Sequence, residues 1–486
     1  MMQNRSIFFL ALLTLLALMS CAQAQEMSED QKILHLLNRI SFGPTPGDID
    51  KVRSIGFGAY LEQQLHPSTM LPSEELNSRL DELPTLKESA RDLAYEFQPP
   101  QDEFKNMSED ERKEANKKKN QIVEELVDAK ILRAVMSPAQ LQEVMVDFWF
   151  NHFNVFAEND ADKIWIGTYE RDAIRPYALG KFRDLLMATA YHPAMLFYLD
   201  NWLNTDPNSP IARGKKIGIN ENYAREVMEL HTLGVDGGYT QQDVTTLAHV
   251  LTGWGLSEGK ELWQKSFFTF EPRRHDFGNK NLLGYLVHGS GEDEVDSVLT
   301  MLANHPSTAQ HISYELAQYF VTDDPPPSLV NRLAAVFRSS DGNIADVLRT
   351  LFQSPEFWDA NNFQNKFKPP FRYAISSLRA TSFVPTGNLR PLQGAIGNMG
   401  EPLYRCLTPN GYANTNDQWM NSDALLKRID FTKALTRSAA EDAEKTNAIE
   451  ISLGRLFSAN TSQTVQSADA KLRPILLLNS PEFLYY

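Results

Sequence analysis

The densest set of chemistry-bearing side chains lies between Asn222 and Leu233, in Asn-Tyr-Ala-Arg-Glu-Val-Met-Glu-Leu-His-Thr-Leu. The apolar spacing predicts a helix here. On a wheel of about 100° per residue, Arg225, Glu226 and Glu229 all fall within roughly 60° of Asn222. Ala224, Val227, Met228 and Leu230 fill most of the remaining circumference, so the polar stripe is expected to face a cleft or a buried network. Two carboxylates beside an arginine could hold a cation or a substrate, or exchange protons if proximity raises one pKa. The competing reading is a structural ion-pair network in which Arg225 and Glu229 form an ordinary pair four residues apart. His231 falls opposite the stripe among apolar neighbours, as expected of a core histidine bonded to a backbone carbonyl.

A second cluster is Arg273-Arg274-His275-Asp276-Phe277-Gly278-Asn279-Lys280, in a segment rich in turn formers. Loops on a rigid scaffold are where functional side chains concentrate. His275 and Asp276 could act as a base and its partner, and Arg274 and Lys280, with Asn222 across the site, could bind an anionic group. A basic loop on an acidic protein could equally pair with its own surface. Asp236-Gly237-Gly238-Tyr239-Thr240 with Asp243 resembles the second half of a calcium loop, but the positions of the first-half ligands hold Thr232 and Gly234. Thr240 and Asp243 are better read as a capping box after a glycine turn. His152 and His231 lack the close spacing of a zinc motif, so no metal site is expected and no cofactor is identified. The chain also lacks a Walker loop, a haem-attachment motif, a Gly-x-Ser-x-Gly elbow and a His-Glu-x-x-His helix.

The elements that must position these residues read as helices almost throughout, and alternating strand patterns are scarce. The expected fold is all-α: one large multi-helix core over 25–325 and a smaller C-terminal helical lobe over 326–486, with a softer boundary near Pro325. A charged insertion occupies about 99–119. Ser108 and Glu111 form a capping-box start for a long helix ending near Met136. Ser137-Pro138-Ala139-Gln140 is expected to open the next, with serine as cap and Gln140 closing the box. Its buried stripe is Leu141, Val144, Met145, Phe148 and Trp149; His152 falls within it, and Asp147 and Asn151 toward its edge.

A formal charge of −15 repels phosphate backbones and anionic headgroups, which argues against nucleic-acid binding. The first residues have the parts of an export leader: Arg5, an apolar run from Ile7 to Met19, and small residues at a cleavage point. That run is shorter than the roughly 20 residues a membrane span needs. Cleavage after Ala24 gives a free protein over 25–486; cleavage after Ser20, in Leu18-Met19-Ser20-Cys21, makes Cys21 a lipidated first residue and the only membrane contact. Either way the expected location is the periplasm or outer cell envelope. Cys406 is the one other cysteine, so the core must hold without an internal disulfide.

Several separated segments, in order, resemble the bacterial family known as domain of unknown function 1800. They include His35-Leu36-Leu37-Asn38-Arg39-Ile40-Ser41-Phe42-Gly43-Pro44, Asp147-Phe148-Trp149-Phe150-Asn151-His152-Phe153, the segment Asn220 to Gly234, Thr252-Gly253-Trp254, His275 to Lys280, and Pro409-Asn410-Gly411-Tyr412. The resemblance runs from about Leu34 to the C-terminal end. It implies export, a mainly helical fold and a sulfatase-like exported partner; the family tends to have arginine where this chain has His249. Two functions stay open: a binding or maturation factor for that partner, and an envelope enzyme acting on a polar polymer or anionic small molecule. The enzyme reading expects Glu226 or Glu229 and His275 to share one pocket.

Overall fold

The computed structural model describes residues 26–97, 106–159, 162–256, 268–436 and 442–486. The expected leader with Cys21 and the first part of the expected charged insertion lie outside the described residues. The chain is 63% helical with 4% in strands, so the protein is all-α.

The helices that build the site are α1 (Glu29–Ile40), α2 (Glu109–Met136), α3 (Gln140–His152), α4 (Asp162–Thr168), α5 (Asn222–Glu226), α6 (Gln241–Val250), α7 (Glu292–Ala303), α8 (Pro306–Phe320), α9 (Pro327–Ser339) and α10 (Pro370–Ala380). Two small antiparallel hairpins interrupt them: β1 (Trp254–Leu256) with β2 (Phe268–Phe270), and β3 (Lys280–Leu282) with β4 (Tyr285–Val287). No described helix is long and apolar enough to cross a membrane.

The cap signals explain most boundaries. Ser108 and Glu111 close a full capping box on α2, which ends at Met136. Thr240 and Asp243 do the same for α6. Asp243 is also tied to the hairpin, since its Oδ1 accepts the Leu283 N–H at 2.9 Å. The start of α3 differs from expectation, because its N-cap is Ala139 and carries no side-chain bond. Gln140 cannot close a box there: its amide donates to the carbonyls of Ala134 and Ser137 and accepts the Phe42 N–H. It joins the end of α2 to the segment after α1.

Buried apolar side chains from Ile33 to Leu484 form one continuous cluster. The two sides of Pro325 are fastened by buried side chains reaching for carbonyls. Arg372 on α10 donates to the carbonyls of Asn38 and Ser41 at 2.9 and 2.6 Å, and Arg379 to those of Gly43 and Val135 at 2.6 and 2.8 Å. Arg39 returns the exchange at the carbonyl of Asn362, 2.9 Å away. Carbonyls at a helix C-terminus have no partner inside their own helix, so guanidinium groups from α10 satisfy both α1 and α2 there.

Candidate functional site

The helix expected over Asn222–Leu233 is not regular. After Glu226 it passes into a π-helical turn, Val227–His231, whose i→i+5 hydrogen bonds advance each residue by a smaller angle than an α-helix does. A single wheel therefore fails across Glu226. Arg225 pairs with Glu221 at 3.2 Å and with Gln241 at 3.0 Å, not with Glu229. Glu221 in turn accepts from Thr245 at 2.6 Å. Asn222 is exposed, while Arg225, Glu226 and Glu229 are half-buried. Burial, then neighbouring Glu229, raises the Glu226 carboxyl above its usual range, against the pull of Arg225.

The loop residues go elsewhere. His275 is sealed: Nδ1 meets the Thr252 carbonyl at 2.7 Å and Nε2 meets Glu294 at 2.9 Å. Lys280 donates to the same Glu294 at 2.8 Å. Arg274 donates to Thr205 and to the Trp202 carbonyl, and Asp276 contacts His249 at 2.8 Å. No described cavity brings His275 together with Glu226 or Glu229.

A different cleft gathers the titratable groups. It lies where α3 meets the loop after Tyr404, and two of the quoted segments lock together to form it. Asn151 donates to the Tyr412 carbonyl at 2.8 Å and accepts its N–H at 2.7 Å. Asn154 donates to the carbonyls of Cys406 and Thr408. Gly411, at φ +65°, packs so closely that a Cβ there would lie 2.3 Å from the Asn151 carbonyl oxygen. Only glycine fits that conformation and that space.

The cleft has two chambers that share Phe148, Asn151, Tyr412, Ala413 and Asn414. The inner one, about 50 Å³, has room for only a few waters. Lys130 and Asp147 meet there at 2.7 Å. Behind them Glu170, on the π-helical turn Tyr169–Ile174 that continues α4, accepts from Tyr404 at 2.6 Å and Arg175 at 3.3 Å. Burial works to lower Lys130, but Asp147 and Glu170 overcome it and hold the ammonium charged. Glu401 has no such cation bonded to it. Burial first, then the Asp147 charge, push its carboxyl up to about 8, although the Phe371 N–H and Lys130 pull the other way. At neutral pH it is mostly a neutral acid.

The outer chamber, about 180 Å³, is lined by His152, His311 and Glu315 with Gln318, Asn410 and Thr415. Glu315 Oε2 lies 2.7 Å from His152 Nδ1, and Oε1 lies 3.7 Å from His311. Burial raises this carboxylate, but the two histidines outweigh it and hold it below the usual range. Its side chain is 28% exposed, so solvent reaches it. The π turn contributes through its backbone: the Leu230 carbonyl contacts His311 Nε2 at 3.1 Å, and the His231 carbonyl contacts His152 Nε2 at 3.3 Å. The sequence-selected helix thus borders the cleft with carbonyls, while its carboxylates sit on another side. His231 is buried with Nε2 unpartnered, unlike the carbonyl-bonded core histidine expected, and burial with two neighbouring histidines keeps it neutral.

A base beside a carboxylate, and a carboxylic acid kept neutral in the adjoining chamber, are the parts of a proton-transfer site: their environments push two acidic groups in opposite directions. In sequence His152 fell within the buried stripe of its helix and Asp147 and Asn151 toward its edge, all three inside one segment of the family resemblance. Lys130, Glu315, His311 and Glu401 gave no signal, since nothing local marks residues that meet across the fold.

A family model described as "Protein of unknown function (DUF1800)" matches residues 35–485. No curated protein and no solved structure matches the chain.

Proposed function

The chain belongs to the DUF1800 family of proteins of unknown function, so its activity has to be argued from its site, and we propose that it is an envelope enzyme performing acid–base chemistry on a polar, hydroxyl-bearing substrate. The observation that carries this is the pairing in one cleft of the His152–Glu315 contact with a Glu401 held protonated to about pH 8. Glu315, held charged between His152 and His311 and open to solvent, takes up the proton released by an attacking hydroxyl, and the two rings steady it. Glu401 gives its proton to the departing oxygen from the inner side and is left as a carboxylate. Amide side chains of Asn410, Asn414 and Gln318 and the rings of Tyr412 and Trp419 suit a hydroxyl-rich molecule or the end of a polymer. The leader-like first 24 residues support a site of action outside the cytoplasm.

The second reading, a binding or maturation factor for a sulfatase-like exported partner, draws on a separate observation: His275 and Lys280 are spent on Glu294 and are not offered to a substrate. One experiment separates the two. Purified protein is incubated with envelope polysaccharide fragments and followed by mass spectrometry, beside Glu315→Gln and Glu401→Gln variants shown by circular dichroism to be folded. Turnover that falls by about 100-fold or more in both variants supports catalysis. Turnover equal to wild type in both, or partner capture with none at all, favours the binding role.

A further inference from the structure

Away from the cleft, three segments distant in sequence bring ligand-type atoms together: Asp206 before the Asn208 turn, His249 on α6, and Asp276 after the short Pro272–Arg274 helix. One atom from each lies within 4.8 Å of the other two, and His249 Nδ1 stands 2.8 Å from Asp276 Oδ2. Asp206 is only 8% exposed. Its Oδ1 accepts from Asn208, while its Oδ2 has no hydrogen-bond partner among the described residues.

Among the described residues, two cations of the same segment bond to other groups. Arg274 sends its guanidinium to Thr205 and to the carbonyls of Trp202 and Asn204, and its own carbonyl accepts the Asp206 N–H at 2.8 Å. Lys280 is bonded to Glu294 and to the Asp276 and Gly278 carbonyls. Two carboxylates and an imidazole this close, with no lysine or arginine bonded to either carboxylate among the described residues, favour the entry of a positive charge.

We infer that Asp206, His249 and Asp276 bind one first-row divalent cation of the zinc or cobalt type. Two carboxylates and an imidazole form a three-ligand set for such an ion, and the imidazole disfavours calcium and magnesium, which prefer oxygen alone. The ligands are already braced. Thr252 Oγ1 donates to the His249 carbonyl at 2.6 Å and accepts the Asp276 N–H at 3.0 Å, so one hydroxyl fixes two ligand segments together. Such outer partners hold ligands in place before the metal arrives. The side chains of His249 and Asp276 are 29% and 27% exposed, which leaves a face for water to complete the coordination. The bound cation fastens the loop around Asp206 and the 275–279 loop to α6, giving the segment between the two hairpins a rigid footing.

The full-length mature protein is stripped with a chelator and titrated with Co²⁺, read by calorimetry and by the visible absorption of the metal. The expected result is one Co²⁺ per chain, with affinity reduced by about 10-fold or more in His249→Ala and Asp276→Asn and unchanged in His152→Ala. The isosteric Asp276→Asn keeps the test sound if His249→Ala fails to fold. No binding by wild type, equal affinity in both ligand variants, or loss in His152→Ala alone would overturn the inference.

Discussion

At the scale of residues, the cleft turns on how one carboxyl is kept neutral. Glu401 titrates near 4.5 in an unfolded chain and at about 8 in the folded one. Between those values the folded state binds more protons than the unfolded state, so its contribution to stability is fully present below about 4.5 and is lost as pH rises through about 8. Glu401→Gln removes that dependence. Thermal melts from pH 5 to pH 8.5 should show the wild type losing ground steadily against the variant; parallel curves would mean that the carboxyl is not held protonated. The same substitution removes the proton donor, so a gain in stability at alkaline pH should accompany the loss of turnover.

At the scale of elements, α6 ties its own start to the β3–β4 hairpin. Its capping box satisfies orphan N–H groups at the helix start, and Asp243 also anchors the β3–β4 hairpin through Leu283. Thr240→Ala removes a cap and should cost about 1 kcal/mol. Asp243→Ala removes the return half of the box, in which its carboxylate accepts the Thr240 N–H, together with the hairpin anchor, so urea unfolding should place its loss about 1 kcal/mol beyond that of Thr240→Ala. Equal losses would show that the hairpin is held by its own turn. The π turns at Tyr169–Ile174 and Val227–His231 matter in another way, since each brings a polar group against a side chain of the cleft: Glu170 behind Lys130 in the first, the Leu230 and His231 carbonyls beside His311 and His152 in the second.

At the scale of the whole molecule, the expected boundary near Pro325 is crossed by the core itself. Arg372 and Arg379 on α10 hold the ends of α1 and α2, and His35 on α1 contacts the Phe357 carbonyl at 2.9 Å. Each half alone would leave buried guanidinium groups and helix-end carbonyls without partners. Fragments 25–325 and 326–486 expressed separately should lack a cooperative melt and regain one when co-expressed. Independent cooperative melting of either fragment would show a real division there.

The sequence by itself determined what depends on neighbours along the chain. Helical periodicity, the Ser108 and Thr240 caps and the end of α2 at Met136 are local matters, decided by backbone geometry within a few residues. Family membership was legible for the same reason, because short segments kept their order from His35 onward. Tertiary structure alone decided which charges meet. Glu315 reaches His152, Glu401 sits by Asp147, and Asp206 faces Asp276 only because helices pack across long stretches of chain. Whether a carboxyl ends up charged, neutral or ready for a cation depends on burial and on the sign of what packs against it. His275 and Lys280 make the same point in reverse: adjacent in sequence to promising partners, they are consumed by Glu294, a residue whose position no spacing along the chain foretold.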